Sequence, residues 1–507
     1  MRGMIGTLDP RVATAAGRVA RSRSVMPAAG LVALLALLAP LVGCATNPVT
    51  GRRELSLVSA GKEESIGREG YGAVVAEYGS YGDSSVQRYV NEVGQRLAHV
   101  SHLPGLTWHF TVLDDPAVNA FAMPGGYIYV TRGILAHLNS EAQLAGVLGH
   151  EIGHVTHRHS AEQITRQQVA GIGLGVASLM SEAVSKYGGM AQQALGLVFL
   201  KFSRTNETEA DELGVEYATR AGYDPAEIPS TYAMLKRVSD RAGQRLPGFL
   251  STHPDPGDRE TRTGALAQAA RAGKTGLTVR HAEYVHGLEG MIFGDDPRQG
   301  YFEGDDFYHP TMGFAMSFPA GWKHANTRTA VTATAPEDRA GMQVTLADAG
   351  TATPGAFVAG LTASGKLTAA RGGSETLDGL TAWVGRVTVP GDGGTERVLA
   401  AAFIRRSAAQ MVQILGRSAQ PDDADFRQVL ASARSFRALE DPARLKPAPE
   451  RVRVTSVATP GTFSAVVGGL GPQGLDLEGT AILNNRQAGD ALARGDLLKT
   501  VLPARLH

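Results

Sequence analysis

The chain has 507 residues, with 49 basic and 49 acidic side chains and a formal net charge of zero. That balance excludes a nucleic-acid binder relying on a broad positive field, and the length allows two or three domains. A single cysteine excludes any internal disulfide, so stability rests on packing or on a metal.

The first stretch reads as an export signal rather than as part of a fold. Arg2, Arg11, Arg18, Arg21 and Arg23 precede an apolar run from Leu31 to Val42, which meets Gly43 and Cys44. A basic segment followed by about a dozen apolar residues fits a secretory signal, and falls short of the about 20 needed to span a bilayer. The end, Leu41-Val42-Gly43-Cys44, resembles the bacterial lipobox. That resemblance implies a signal peptide over residues 1–43, cleavage before Cys44 and lipidation of its sulfur. Ala45 stands where an aspartate would mark retention in the inner membrane. The expected location is therefore the periplasmic side of the bacterial envelope, anchored by lipid to the outer membrane.

A first folded region is expected over residues 44–290. Val86, Tyr89, Val90, Val93 and Leu97 follow helical spacing after Asp83 and Ser84, which can cap the N-terminus. Thr107 to Leu113 alternates like a half-buried strand, and Tyr127 to Thr131 reads as another strand after the Pro124-Gly125-Gly126 turn. Ser140 and Gln143 then form a capping-box signature for a helix carrying Leu144, Val147, Leu148, Ile152 and Val155 on its apolar side. A Gly/Ala-rich stretch with short apolar runs (Ile172 to Leu179, Leu195 to Leu200) reads as amphipathic helix, and a further helix is expected from about Thr205 to Ala221.

Gly294 to Gly300 reads as a boundary. Over residues 301–440, strand-like runs (Met342 to Leu346, Ala382 to Val389, Arg397 to Ile404, Gln410 to Leu415) surround helix-like ones near Phe357 and Phe426. That pattern suggests a separate α+β domain. A Pro-rich linker, Lys446-Pro447-Ala448-Pro449, leads to a tail over residues 450–505 that resembles a degenerate LysM module. The resemblance implies glycan binding, with peptidoglycan as a candidate partner.

His150-Glu151-Ile152-Gly153-His154 carries the chemistry. Histidines at i and i+4 lie about one turn apart on one helix face, so both imidazoles can reach one metal. Glu151, beside the first ligand, can act as general base toward the attacking water. His157 lies seven residues past His150, about 10.5 Å along a continuous helix and too far to share the metal. The metzincin pattern HExxHxxGxxH also fails, so His157 and His159 are expected outside the ligand set, either behind the ligands or at the surface. Glu207 and Asp211 lie at i and i+4 on one helix face. One carboxylate can bind the metal while the other accepts the free ring N–H of a ligand histidine. Glu209 and Glu212 are expected to face solvent.

HExxH followed some sixty residues on by Glu207-Thr208-Glu209-Ala210-Asp211, with the lead Phe202-Ser203-Arg204, resembles peptidase family M48. Three further segments are similar to its soluble, BepA-like periplasmic branch: Asn47-Pro48-Val49-Thr50-Gly51, Asn119-Ala120-Phe121-Ala122 with Pro124-Gly125-Gly126, and Ser251-Thr252-His253-Pro254 with Arg259. The resemblance covers residues 47–265. It implies His150, His154 and Glu207 as ligands of one Zn2+ per chain, Glu151 as base, and Asp211 as the partner that orients a ligand. For His253 it implies either a fourth, latching ligand or help to the tetrahedral intermediate in catalysis. No repeat of about 34 residues appears after residue 300, so the TPR scaffold of that branch is missing.

The expected fold class is α+β: a mainly helical, gluzincin-type protease domain with a small sheet, followed by the second domain and the tail. The expected function is zinc-dependent metalloendopeptidase action on unfolded or misassembled envelope proteins, the strand Tyr127 to Thr131 offering an edge for extended substrate. The alternative is a chaperone-like or peptidoglycan-binding or outer-membrane-protein-binding factor whose metal site is latched or vestigial. No nucleic-acid partner is expected.

Overall fold

The computed structural model describes residues 44–173, 196, 198, 201–242, 249–253, 256–391 and 394–506. The signal segment and most of the two apolar runs between residues 172 and 200 lie outside them. Among the described residues no helix is long and apolar enough to cross a membrane.

A short hairpin (β1, Cys44–Thr46; β2, Arg53–Leu55) precedes helix α1 (Ala60–Tyr78) and helix α2 (Ser84–Val100). The Asp83 carboxylate caps α2 by accepting from the N–H groups of Ser85 and Val86. Val90, Val93 and Leu97, at most 1% exposed, form its buried stripe. Each contributes about 1.5–3 kcal/mol by leaving water.

Three strands follow, β3 (His109–Leu113), β4 (Ala120–Met123) and β5 (Tyr127–Thr131), in the order β3-β5-β4. β5 is parallel to β3 and antiparallel to β4. Gly125 and Gly126 turn β4 into β5 at φ of 81° and 88°, and a Cβ on Gly125 would lie 2.6 Å from Glu64 Cα, so only glycine fits.

Two expectations need correcting. The run to Leu113 is buried from Phe110 onward rather than on one face, because side chains of α1 cover one side of the sheet and those of α2 and the helix at 141–156 cover the other. Tyr127–Thr131 is the central strand, both of its edges already paired, so it cannot accept a substrate strand. Among the described residues β4 is an edge strand of this sheet.

Helix α3 (Arg132–His137) leads to α4 (Glu141–Thr156), every residue of which except Val155 is buried. Ser140 caps α4 through the Gln143 N–H, while the Gln143 side chain accepts from Asn139 N–H instead of closing a reciprocal box on Ser140. α5 (His159–Gly173), α6 (Arg204–Arg220), α7 (Ile228–Ala242), the one-turn α8 (Phe249–Thr252), α9 (Pro256–Arg271) and α10 (His281–His286) complete the helical layer.

From Tyr301 the chain is largely β. A seven-stranded antiparallel sheet runs Ala369–Leu377, Leu380–Pro390, Glu396–Arg405, Gln410–Arg417, Gly341–Asp348, Val331–Thr334, Lys323–Asn326 in spatial order. A four-stranded sheet and the helix Ala424–Arg434 pack with it around a core including Phe307, Phe314, Trp322, Phe426 and Phe436, while the helix Pro354–Ala363 packs in a separate core, with Val358 beside Trp383, Val387 and Phe403.

The tail folds as strand (Arg451–Ser456), helix (Phe463–Gly468), helix (Leu477–Leu483), strand (Leu497–Leu502), its two long strands antiparallel. It is not tethered loosely. Val452, Ile482, Leu483 and Val501 belong to the same core as α2 and α4. The buried Lys499 ammonium donates to the Ala136 and Leu138 carbonyls at 2.7 and 2.6 Å, satisfying oxygens at the end of α3. Burial holds its pKa well below the usual lysine range.

Candidate metal centre

α4 and α6 run against each other, and glycines set how closely. A Cβ on Gly214 of α6 would stand 3.1 Å from the His150 N atom, and one on Gly153 of α4 would stand 3.2 Å from Ala210 Cα. This approach lets the carboxylate of Glu207 reach the two histidines of α4.

His150, His154, Glu207 and His253 bring one ligand atom each within 4.8 Å of one another, all four side chains buried. His150 Nε2 lies 3.0 Å from His154 Nε2 and 3.7 Å from Glu207 Oε2; His154 Nε2 lies 3.5 Å from Glu207 Oε1. His253 Nδ1 lies 2.9 Å from Glu207 Oε1 and 3.3 Å from His150 Nε2. Donors bound tetrahedrally at zinc distances stand about 3.3–3.4 Å apart, so the spacing suits that ion.

Hydrogen bonding at the far side of each ring gives an independent test. His150 Nδ1 lies 3.1 Å from Asp211 Oδ1 and His154 Nδ1 lies 2.9 Å from His159 Nδ1. With a ring proton committed outward in each, the two Nε2 atoms present lone pairs to each other at 3.0 Å, an arrangement a cation relieves. Burial, and then the Arg259 guanidinium, push His150 down to about 4, which keeps it neutral and able to ligate. The residues present fit a zinc ion.

Phe202 stacks on His154 with centroids 4.2 Å apart, and Phe249 on His253 at 4.3 Å. Arg259, 1% exposed, binds both carboxylates: Nη1 lies 2.7 Å from Glu207 Oε2, while Nη2 and Nε reach the Asp211 oxygens at 2.6 and 3.0 Å. Tyr232 and Arg262 complete the ring around Asp211. Burial works against ionisation of Asp211, yet Arg259 and His150 outweigh it and hold its pKa far below the usual carboxylate range. Glu207 is likewise lowered, burial being outweighed by His253 and Arg259.

Glu151 differs. It is fully buried, neither oxygen has a hydrogen-bond partner among the described residues, and burial pushes it up to about 7. The backbone of Ala122 in β4, with His253 and Arg259, acts in the opposite direction and favours the ionised form. His253 Nε2 lies 3.7 Å from Glu151 Oε1. An unpartnered carboxylate of near-neutral pKa beside a donor cage is suited to taking up and releasing a proton.

The structure thus gathers His150, Glu151, His154, Glu207, Asp211 and His253 in one place. Cys44 lies elsewhere, at the start of β1. Glu209 is not simply solvated as expected: it accepts from His159 at 3.1 Å. His159 is buried against His154, and His157 is buried beside it, because α4 stops at Thr156 and Arg158 takes a left-handed φ of 62°. That turn is held by Glu63 at 2.7 Å and the Val58 carbonyl at 2.7 Å. Asn47 braces it from outside: its Oδ1 accepts from Val49 and Thr50 N–H, and its Nδ2 donates to the His157 carbonyl. The sequence left His159 either behind the ligands or at the surface, and the structure puts it behind His154; the role of Tyr232 and the pairing of His159 with Glu209 carried no local signal, and Arg259 stood out only by resemblance.

Residues 84–264 match Peptidase family M48. The chain is 36% identical over 215 residues to mitochondrial metalloendopeptidase OMA1 of Schizosaccharomyces pombe, covering 41% of this chain and 61% of that protein. It is 35% identical over 209 residues to the Arabidopsis thaliana protein of the same name, covering 38% and 41%. To the beta-barrel assembly-enhancing protease of Escherichia coli K12 it is 30% identical over 226 residues, covering 42% and 45%. The chain therefore spans between 41% and 61% of these relatives' own length.

Proposed function

With residues 84–264 forming a Peptidase family M48 domain as premise, we propose that the protein is a zinc-dependent metalloendopeptidase of the bacterial envelope, acting on unfolded or misassembled proteins. The observation that carries the reading is the convergence of His150, His154, Glu207 and His253 beside the unpartnered Glu151. When bound, zinc supplies Lewis-acid polarisation of the scissile carbonyl and lowers the pKa of the attacking water. Glu151 takes the proton of that water and passes it to the leaving amine. Asp211 and Arg259 hold His150 and Glu207 in place.

β4 is the strand that passes Glu151, and as an edge strand it is the candidate for pairing with an extended substrate segment. Such main-chain pairing favours chains without a stable fold. The lipobox-like end at Cys44 supports a lipid anchor, and the strand-helix-helix-strand order of the tail supports the LysM-like reading with peptidoglycan as a partner.

His253 stands as a fourth protein donor beside His150, His154 and Glu207, which supports a latched resting state. The test uses the chain starting after Cys44, with bound zinc and casein cleavage measured for wild type, Glu151→Gln and His253→Ala. About one zinc per chain is expected, with cleavage abolished in Glu151→Gln and raised in His253→Ala. Zinc without cleavage in all three proteins would transfer the reading to the binding factor, and absence of zinc would end the metalloendopeptidase reading.

A further inference from the structure

We propose that His159 and Glu209 are positioning residues that orient the zinc ligand His154; the inference rests on His154 being a ligand. The Nδ1 atoms of His154 and His159 lie 2.9 Å apart, a separation that requires one proton between them. His154 turns its Nε2 into the donor cage, 3.0 Å from His150 Nε2 and 3.5 Å from Glu207 Oε1. A ligating Nε2 leaves the ring proton on Nδ1, so His154 donates and His159 accepts. A neutral His159 then carries its own proton on Nε2, which lies 3.1 Å from Glu209 Oε2. The direction of the relay follows throughout: His154 N–H to His159, His159 N–H to the Glu209 carboxylate.

The arrangement mirrors the other ligand. Asp211 of α6 serves His150 directly, while Glu209 of the same helix points to the opposite side and serves His154 through an inserted imidazole. The insertion depends on the left-handed Arg158, which ends α4 and returns His159 to the ring of His154.

His157, His159 and Glu209 also lie close enough together to hold a metal of their own. The protons argue against that use. A metal on His159 Nε2 would move that ring's proton to Nδ1, facing the Nδ1–H of His154 at 2.9 Å.

Partners behind a ligand histidine are worth about 10–100-fold in metal affinity. Zinc affinity of the chain starting after Cys44 is measured by competition with a chelator, and its Co2+-substituted form by visible absorption. His159→Leu is expected to weaken zinc by about 10–100-fold and to shift the Co2+ bands. Glu209→Ala is expected to weaken it in the same direction. Glu209→Gln, whose amide oxygen still accepts from His159, is expected to restore both readouts, and His157→Leu to leave them unchanged. Wild-type affinity in both His159→Leu and Glu209→Ala would overturn the relay. Two zinc ions per chain falling to one in Glu209→Ala would also overturn it, in favour of a second metal site. If His159→Leu does not fold, the Glu209→Ala and Glu209→Gln pair decides by the same readouts. A wild type that binds zinc without cleaving protein leaves the relay standing while removing the endopeptidase reading.

Discussion

Replacing Arg259 by leucine removes the guanidinium that faces two buried carboxylates. Asp211 would keep Arg262, Tyr232 and His150, so it stays compensated. Glu207, 2% exposed, would keep only its histidine neighbours, having lost the 2.7 Å partner of its Oε2. Cation-π contacts to Tyr232 at 4.4 Å and Phe249 at 5.5 Å would go as well. Removing one partner of a buried pair costs about 3–5 kcal/mol. At about 2–4 °C per kcal/mol for a domain of this size, the metal-free protein should unfold about 6–20 °C lower. Zinc bound at Glu207 supplies the missing positive charge, so the deficit should shrink when zinc is added. Arg259→Lys should recover part of the loss, keeping the charge but not the fork that spans both carboxylates. The assay is thermal unfolding of wild type, Arg259→Leu and Arg259→Lys, with chelator and with zinc. A metal-free Arg259→Leu protein within about 1 kcal/mol of wild type would refute the assignment of Arg259 as the counter-charge of this site.

Glu151 sets a pH dependence in the metal-free protein. Its pKa rises from 4.5 to about 7 on burial, so the unfolded chain loses this proton first and stability falls as pH climbs through that window. Glu151→Gln should therefore match wild type below about pH 4.5 and exceed it above about pH 7, by on the order of 3 kcal/mol, in chelator-treated unfolding curves; equal curves at pH 8 would contradict it. Gly214→Val should separate α4 from α6, since even a Cβ there meets the His150 N atom at 3.1 Å. Zinc affinity should drop by at least about tenfold, read by chelator competition, while far-ultraviolet circular dichroism stays helical; unchanged affinity would show that the helices need no such approach.

What could be read along the chain was what one helix or one turn contains. The i, i+4 spacing places His150 and His154 on one face of α4 whatever surrounds it, and the same periodicity sets Glu207 beside Asp211. Asp83 and Ser140 mark where α2 and α4 begin, because a side-chain oxygen satisfies a free N–H within three residues. The placement of β5 between β3 and β4 was not readable, since strand order depends on pairing partners far apart in sequence. Nor was the return of His159, which needs Glu63, Val58 and Asn47 to hold a left-handed arginine. Arg259 meets Glu207 and Asp211 across some fifty residues, and Lys499 meets Ala136 across more than three hundred. The sequence by itself determined the helix that carries the metal-binding pair and the chemical type of its partners. Resemblance already implied Glu207 as a ligand and Asp211 behind one; only the tertiary structure decided which histidine Asp211 backs, what backs the other and where the tail rests, because those depend on the approach of elements that share no local periodicity.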